Sequence, residues 1–356
     1  MNSSSTELPR FECPKFDTKR YEYLIPHTKS NNTSTIHYFF ALNLRSNLPI
    51  LPRLLGSLVE VIRFLGPENC AVSIVEGNSD DGTAEVLSAL RKPLTKLPTT
   101  YHLRSSAIDP STGDRIPRLA ALRNLAIQPL LTTPRSILAP PNETTILFLN
   151  DVTPCPDDLL ELLHQRRRLN AHMTCAMDWT YVGRDPTFYD MWIARDLNGE
   201  AFFEVPPDGN WNSAWNLFWK NPDAYARYSA HQPFQVFSCW NGATAFTAEP
   251  ILLEKVTFRG PRLPEGECMQ GEPQLFCKDL WWNGYSRIAV VPSISLEYSN
   301  DRGKQIKEAK GWTSQWWKEA DSAEIIWRKE PPEKVKCIPN YENQTWEAWN
   351  KSQPGV

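Results

Sequence analysis

Short apolar runs alternate with longer segments of helical periodicity in the first half of the chain. Ile36–Leu42 (IHYFFAL) is rich in aromatic residues and has the length of a buried parallel strand. A helix is predicted to begin at Pro52, because leucine and isoleucine then recur on one helical face until Gly66 and Pro67 stop the pattern. These two segments predict a first βα unit.

The same alternation continues beyond Pro67. Ala71–Glu76 is predicted to form a strand and Thr83–Arg91 a helix that ends before Pro93. Three further elements are predicted: helix Ile116–Leu130, strand Thr145–Leu149 and helix Pro156–Arg168. Acidic residues in the first turn of the last helix, and arginines in its last turn, suit the helix dipole.

Alternating strands and helices predict an α/β fold with a mostly parallel, Rossmann-type sheet flanked by helices. In such folds ligands bind outside the carboxyl ends of the strands, so functional residues are expected just after each strand. From about Met173 the pattern changes to shorter strands and loops, with strand candidates at Ala243–Thr247 and Ile288–Val291.

Three regions follow from this pattern. Residues 1–35 are polar and irregular and are interpreted as a stem or surface segment. Residues 36–300 are predicted to form one domain, whose first half (36–172) contains the alternating strands and helices and whose second half (173–300) contains the shorter strands and insertions. Residues 301–356 are predicted to be a C-terminal extension that wraps the domain, with tryptophans on a packed helical face at Trp312, Trp316, Trp317 and Trp327.

Composition narrows the classes of partner. The 356 residues are 41% hydrophobic and 22% charged, which describes a globular chain that can bury a core. A formal net charge of −3 argues against a polybasic nucleic-acid surface. The 14 tryptophans can supply flat faces for sugar rings, although core packing is the more common use of this residue.

The sequence also bears on the cellular compartment. No run of about 18 apolar residues is present, so no membrane span is expected in these residues, and the Ser-rich start does not resemble a signal peptide. The 8 cysteines could pair, or remain as free buried thiols. Asn-x-Ser/Thr patterns occur at Asn2, Asn31, Asn32, Asn142, Asn343 and Asn350. Together the cysteines and these patterns favour the lumen of the secretory pathway.

The first candidate site follows the second predicted strand, in the segment EGNSDDGT from Glu76 to Thr83. An acid at a strand end, followed by a tight polar turn, suits hydrogen bonding to the base and ribose of a nucleotide. The alternative is a helix-capping turn, with Asp81 or Thr83 as the cap.

Asp151 is the candidate metal ligand, because it follows the apolar strand Thr145–Leu149 directly. Mg²⁺ or Mn²⁺ bound together with a diphosphate needs only one or two protein carboxylates, since phosphate and water oxygens complete the coordination. The alternative is an aspartate that only begins the turn before Pro154 and Pro156.

Arginines lie between these two sites, on or beside one predicted helix: Arg115, Arg118 and Arg123. We predict that Arg123 contacts a diphosphate, whose charge arginines stabilise well, although a solvated basic face would give the same pattern.

Together these segments resemble the fungal cryptococcal-type α-1,3-mannosyltransferases of glycosyltransferase family 69, which have a GT-A-like fold. The resemblance covers about residues 36–299 and implies that residues 36–300 are the catalytic domain, with a nucleotide-sugar half (36–172) and an acceptor half (173–300). It is strongest in IVEGNSDDGT, RIPRLAALRN, FLNDVTPCPDDLLEL and YDMWIARDLNG, and FSCWNGATAF and GEPQLFCKDLWWNGYSRIAVVP complete the series.

The resemblance implies a GDP-mannose donor, Mn²⁺ or Mg²⁺ as the cofactor and a mannose-containing glycan as the acceptor. It also implies a Golgi or other secretory-pathway lumen, and a type II membrane protein whose anchor lies outside these residues. Glu76 matches the acid that binds the base, and Asp151 matches the last acid of the D-x-D metal motif. The first acid of that motif is replaced by Leu149, and a late metal-binding histidine by Glu297-Tyr298, so metal binding depends on Asp151.

An α-linked donor that gives an α-linked product requires a retaining reaction. The acids expected near the reacting sugar are Asp178, Asp190, Asp196 and Glu272, of which Asp190 and Glu272 are the predicted catalytic residues. The predicted donor-binding residues are Asn43, Glu76, Ser79, Arg118, Arg123, Asn150, Asp151, Trp240 and Asn241. Gly242 would let the backbone approach the sugar closely, although a plain strand-end turn would look the same.

Two other functions fit the same sequence. A non-catalytic carbohydrate-binding module would account for the tryptophans and for the incomplete D-x-D motif. An enzyme of the same fold with another nucleotide-sugar donor would account for Glu76, because one acidic base contact does not separate guanine from uracil.

Overall fold

The computed structural model describes residues 10–26, 35–322 and 324–354, which contain a nine-stranded sheet flanked by helices and a separate two-stranded hairpin. The strands are β1 (Tyr38–Leu44), β2 (Cys70–Glu76), β3 (Thr100–Ser105), β4 (Thr145–Leu149), β5 (Met173–Val182), β6 (Asp185–Phe188), β7 (Phe234–Gln235), β8 (Ala243–Thr247), β9 (Ile288–Leu296), β10 (Lys334–Cys337) and β11 (Thr345–Ala348). The helices are α1 (Thr18–Tyr21), α2 (Leu51–Leu65), α3 (Thr83–Ala89), α4 (Arg91–Lys96), α5 (Arg115–Thr132), α6 (Pro156–Arg168), α7 (Pro222–Ser229), α8 (Glu249–Leu252), α9 (Glu272–Trp282), α10 (Asn300–Lys310) and α11 (Trp317–Asp321).

The strand order in the large sheet is β3-β2-β1-β4-β8-β5-β9-β7, with β6 paired to β5. The first four strands of this order are parallel. β8 is antiparallel to both of its neighbours, so β5 runs in the same direction as β4, and β9 is parallel to β5. The carboxyl ends of β1, β2, β4, β5 and β9 therefore lie along one edge. The predicted α/β fold with a mostly parallel sheet is confirmed.

Both faces of this sheet are buried, as the apolar strand β1 requires. Its residues alternate between two hydrophobic cores: Phe39 and Ala41 face one, and Phe40 and Leu42 face the other. Side chains of α5 and α9 fill the first core, and those of α2 and α6 fill the second. The two layers hold the strand ends rigidly at the edge where functional residues were expected.

Several predicted boundaries match the structure to the residue: those of β4, α6 and β8. β1 begins and ends two residues later than predicted, and β9 continues to Leu296. The second helix ends before Pro93, as predicted, but its last residue is Ala89 and Pro93 does not stop it. Pro93 lies in the first turn of α4, where its missing N–H has no intrahelical partner to lose.

The residues at the two ends of the described chain are packed against α6. Arg20 donates hydrogen bonds to Glu161 and to Asp321, and the buried ammonium of Lys307 lies 2.6 Å from Asp158. The predicted helical face of tryptophans is wrong, because Trp312 and Trp316 lie outside helices and Trp317 begins α11. These contacts nonetheless bring the chain beyond residue 300 against the sheet domain, while the domain boundaries themselves stay predictions.

Three disulfides join segments that are distant in the sequence: Cys13–Cys155, Cys175–Cys239 and Cys268–Cys337. Cys70 and Cys277 are buried free thiols, so both alternatives for the cysteines occur. No helix in the described parts of the chain is long and apolar enough to cross a bilayer. Among the Asn-x-Ser/Thr positions, Asn142 and Asn343 are exposed, whereas Asn2, Asn31 and Asn32 lie outside the described residues.

Candidate active site

The candidate active site lies at the shared carboxyl edge of β1, β2, β4, β5 and β9. Leu44 of β1 is in register with Glu76 of β2, and Leu42 is in register with Leu149 of β4. The loops that follow these strands therefore start side by side. This arrangement brings the Glu76 loop and Asp151 to the same edge, as the sequence predicted.

The Glu76 carboxylate holds its own loop. It accepts hydrogen bonds from the backbone N–H groups of Asn78 (3.1 Å) and Ser79 (2.7 Å) and from the Ser105 hydroxyl (3.2 Å). Burial raises the pKa of Glu76, but these hydrogen bonds outweigh it, so the pKa lies below its usual value. Glu76 thus shapes the turn, and its predicted contact with the base stays a prediction.

Ser79 connects this turn to the loop after β1, because its hydroxyl accepts a hydrogen bond from the Ser46 N–H at 2.8 Å. Asp81 accepts hydrogen bonds from the N–H groups of Leu48 and Thr83. The predicted helix cap at Asp81 or Thr83 is wrong, because Gly82 is the N-cap of α3 and no side chain caps this helix. Asp81 instead holds the turn before the helix, and Ser79 lies against the loop after β1.

Asp151 is held by Asn47, a residue that sequence reasoning missed. The Asn47 amide donates to one Asp151 oxygen at 3.1 Å, while its own oxygen accepts from the Arg45 N–H at 2.7 Å. The second Asp151 oxygen has no hydrogen-bond partner among the described residues. A carboxylate that is oriented from one side and free on the other suits a hard divalent cation. The signal that could have found Asn47 was its place in the polar segment after β1.

Asn150 and Trp240 are in direct contact. The indole N–H of Trp240 donates to the Asn150 side-chain oxygen at 3.1 Å, and the Asn150 N–H donates to the Gly242 carbonyl at 2.9 Å. Trp240 is only 1% exposed, and its ring packs against Phe148 and Phe258. The predicted role of Trp240 as a direct donor contact therefore does not fit its burial, since the ring supports the site from beneath.

Arg123 lies over the same indole. Its guanidinium carbon is 4.5 Å from the centre of the Trp240 ring, and its Nε donates to Glu272 at 2.8 Å. The Arg123 side chain is 12% exposed and that of Glu272 is 3% exposed. Glu272 is thus bound in a buried ion pair and has no exposed face for a sugar. This geometry argues against Glu272 as a catalytic acid and makes Arg123 part of the aromatic core.

Asp190 is the predicted catalytic acid that remains accessible, because it is only partly buried. One of its oxygens accepts a hydrogen bond from the Asn241 N–H at 2.9 Å. Burial raises the pKa of Asp190 to about 6 and the nearby Glu272 adds to the rise, whereas the Asn241 hydrogen bond and Arg123 oppose it. A carboxyl group that titrates near neutral pH can accept or return a proton during a reaction.

Asn241 and Gly242 shape the backbone beneath Asp190. The Asn241 side chain is fully buried, with its amide bonded to the Ala176 carbonyl, so it has no free group for a ligand. Gly242 has φ of +80°, and a Cβ there would lie 3.0 Å from Val152 and 3.1 Å from Asp178. These contacts are with protein atoms and fit the strand-end turn, so the expected approach of Gly242 to the sugar stays a prediction.

Asp178 and Asp196 are both buried. The Tyr298 hydroxyl donates to Asp178, and burial, with Asp190 nearby, raises the Asp178 pKa well above its usual range. Asp196 accepts hydrogen bonds from the Asn198 and Glu200 N–H groups, which makes it a turn residue. Neither carboxyl group is open to a substrate.

The remaining predicted residues lie around the rim. Arg118 donates to the Asp109 carbonyl at 3.4 Å, and Arg115 is exposed at the start of α5. Asn43 lies against α5, where its side-chain oxygen can accept from the Arg123 N–H at 3.2 Å. The three arginines therefore do not act as one cluster, because Arg123 points into the core.

Among the described residues, one group of three acids or histidines has its ligand atoms within 4.8 Å of one another: Glu161, His164 and Asp321. Arg20 donates to both carboxylates of this group, which makes it an ion-pair network. It contains none of the predicted site residues. A cation at Asp151 would therefore take most of its ligands from phosphate and water, as expected for Mg²⁺ or Mn²⁺.

Two solved structures show limited likeness to this fold. TarS of S. aureus, residues 1–349, has a TM-score of 0.42 and 12% identity over 74% of this chain. The mannosyltransferase PcManGT from Pyrobaculum calidifontis, in complex with GDP-Man and Mn²⁺, has a TM-score of 0.41 and 12% identity over 79% of this chain. The chain spans 60% and 62% of these two structures. Scores this low do not establish a shared fold, so the sheet order above is what defines the α/β class.

Sequence comparison gives the closer match. The chain is 34% identical over 317 residues to alpha-1,3-mannosyltransferase CMT1 of Cryptococcus neoformans var. neoformans serotype D. The aligned residues cover 85% of this chain and 68% of that protein. A profile of the family described as cryptococcal mannosyltransferase 1 matches residues 37–279, which contain every predicted site residue. The chain therefore belongs to the cryptococcal mannosyltransferase 1 family.

Proposed function

We propose that this member of a mannosyltransferase family transfers mannose from GDP-mannose to a mannose-containing glycan and forms an α-1,3 linkage. The observation that carries the proposal is the sheet edge where Asp151, oriented by Asn47, lies beside the Glu76 loop. Such an edge is where α/β folds bind nucleotides. The family relative that is named as an alpha-1,3-mannosyltransferase supports the sugar and the linkage.

Asp151 is the residue that would hold Mn²⁺ or Mg²⁺. Bound there, the cation would neutralise the charge that develops on the departing nucleotide diphosphate. The chain's part is to fix the carboxylate: Asn47 donates to one oxygen and leaves the other free. Leu149 is fully buried, so the position of the missing first acid cannot supply a ligand.

Asp190 is the residue placed to accept the proton of the acceptor hydroxyl in a retaining reaction. In that reaction the bond from the sugar to the diphosphate breaks while the acceptor oxygen bonds to the same face of the sugar, and the acceptor hydroxyl loses its proton. Asp190 keeps one oxygen on the Asn241 N–H and the other available. Glu272 serves this site indirectly, by holding Arg123 against Trp240.

The compartment and architecture are part of the proposal. Three disulfides support an oxidising environment, and exposed Asn142 and Asn343 could carry glycans there. We infer a Golgi or secretory-pathway lumen, with a type II membrane anchor outside these residues. Residues 36–300 are proposed to be the catalytic domain, with residues 1–35 and 301–356 as accessory segments.

The test is a transfer assay with GDP-mannose, Mn²⁺ and a mannoside acceptor, with GDP release and product linkage as readouts. Release of GDP that requires the acceptor, with an α-1,3 product, supports the proposal. Sugar binding with no GDP release would favour the carbohydrate-binding alternative. Since Glu76 is engaged by its own loop, thermal-shift titrations with GDP and UDP must identify the base. A nucleotide at 100 times its dissociation constant stabilises by about 2.7 kcal/mol.

A further inference from the structure

The orientation of the Asn150 amide is determined by Trp240. An indole N–H can only donate a hydrogen bond, so the Asn150 group that faces it at 3.1 Å must be the carbonyl oxygen. The NH₂ group of Asn150 therefore points the other way. This assignment follows from the chemistry of the partner, although the two amide atoms are otherwise hard to distinguish.

Trp240 itself cannot turn to release the amide. Its ring packs in one cluster with the guanidinium of Arg123 at 4.5 Å and the rings of Phe148 at 5.3 Å and Phe258 at 5.5 Å. Arg123 is held in turn by Glu272. A chain of buried contacts thus runs from α9 to the residue before Asp151 and fixes the Asn150 side chain.

The Asn150 NH₂ group has no hydrogen-bond partner among the described residues. Asn150 is partly exposed at the end of β4, and its backbone N–H is already bonded to the Gly242 carbonyl. With its oxygen directed at the buried Trp240, the side chain turns its two N–H donors towards the site. Mg²⁺ and Mn²⁺ bind oxygen atoms, and Trp240 holds the Asn150 oxygen away from the site, which leaves Asp151 as the ligand.

We propose that Asn150 donates a hydrogen bond to an oxygen of the nucleotide-sugar donor, while the adjacent Asp151 alone supplies the protein ligand to the cation. This assignment rests on the proposed function. Asn150 then donates to an oxygen atom of the donor, while Asp151 binds the positive ion. Trp240 is the positioning residue, because its indole N–H holds the Asn150 oxygen and so directs the NH₂ group towards the donor.

The test measures dissociation constants for GDP and GDP-mannose with Mn²⁺, and for Mn²⁺ alone, in the wild type and in Asn150→Ala, Asn150→Asp and Trp240→Phe. Losing a hydrogen bond to a charged group weakens binding by about 10–100-fold, which we expect for GDP-mannose in both Asn150 variants. Mn²⁺ binding alone should be unchanged in Asn150→Ala. Weakened binding of GDP as well assigns the hydrogen bond to the GDP part of the donor, and unchanged GDP binding assigns it to the transferred sugar.

Trp240→Phe keeps an aromatic ring but removes the N–H, so the amide becomes free to rotate. Donor binding should weaken less than in Asn150→Ala, and adding Trp240→Phe to Asn150→Ala should have no further effect on binding. Asn212→Asp, on an exposed loop, controls for the charge added in Asn150→Asp. Melting temperatures separate loss of fold from loss of contact.

Loss of Mn²⁺ binding in Asn150→Ala, or wild-type affinity for both GDP and GDP-mannose in that variant, would overturn the assignment while the proposed function stands. A wild-type protein that binds neither nucleotide would overturn the proposed function and this assignment together.

Discussion

Replacing Arg123 with methionine tests whether this side chain belongs to the core or to the donor site. The change removes the partner of Glu272, whose side chain is 3% exposed and bonded to Arg123 at 2.8 Å. Breaking a buried ion pair from one side costs about 3–5 kcal/mol, because the remaining charge stays buried without compensation. Loss of the contact with the Trp240 ring at 4.5 Å adds about 0.5–2 kcal/mol.

The double variant Arg123→Met/Glu272→Gln removes both charges. We expect it to recover most of the loss, because a neutral pair in a packed interior is often as stable as the ion pair. Urea denaturation with intact disulfides, followed by tryptophan fluorescence, gives the four free energies of unfolding and hence the coupling energy. Additivity within about 0.5 kcal/mol would refute the ion-pair reasoning.

Arg123→Lys separates this interpretation from the diphosphate contact predicted from sequence. Lysine keeps the charge but loses the planar group that lies over the indole. A contact with the diphosphate predicts a higher KM for the donor with nearly unchanged stability. The observed packing predicts the reverse: a lower melting temperature with a small change in donor KM.

Three further predictions follow from single side chains. Asp151→Ala should keep its fold and lose turnover by at least about 10²–10³-fold. The control is Asp223→Ala, in the exposed first turn of α7, which should lower stability by only about 0.3–1 kcal/mol and leave turnover unchanged. Equal activity in the two variants would contradict the role of Asp151. Burial raises the pKa of Asp157 from its ordinary value near 4 to about 7. Ionisation of Asp157 therefore destabilises the folded state increasingly as the pH rises from about 4 to about 7. In calorimetry, Asp157→Asn should melt at a higher temperature than the wild type at pH 8 and at the same temperature at pH 4. Gly242→Ala should destabilise by about 1–2 kcal/mol in urea denaturation, since φ is +80° and the added Cβ meets Val152 and Asp178; a change near zero would contradict that strain.

The environment of Asp157 adds to what the sequence indicated about this helix. The sequence showed only that acidic residues in its first turn suit the helix dipole. In the structure Asp157 is buried and accepts a hydrogen bond from the Tyr21 hydroxyl at 2.7 Å. Periodicity predicted the bounds of α6 correctly, but it cannot show that residues from a distant segment cover both ends of the helix.

The strands that sequence reasoning missed have a common physical cause. β3 reads TYHLRS and is exposed at the sheet edge, so it lacks the apolar run that marks a buried strand. β5 contains the polar residues Thr174 and Asp178, which are buried and hydrogen-bonded to the Leu162 carbonyl of α6 and to the Tyr298 hydroxyl beyond β9. Patterns within one segment cannot contain that information.

The candidate site could be predicted only in part, because patterns within one segment do not show its contacts with other segments. Strand-end positions of Glu76 and Asp151 follow from the order of elements, and the structure brings them to one edge. The burial of Trp240 and Glu272 depends on how α5 and α9 pack, which no local pattern encodes. Asn47 was missed because its partner lies 104 residues away.

The packing of α6 has a consequence for how the chain is made. Asp158 on this helix is neutralised by Lys307, which lies 149 positions later in the sequence. During synthesis at about 5–20 residues per second, some 7–30 seconds pass between the appearance of these two side chains. Throughout that interval the Asp158 carboxylate lacks its Lys307 partner, and the apolar residues beside it are not yet covered by the later segment. We expect this surface of the newly made polypeptide to stay exposed during that time and to need chaperones.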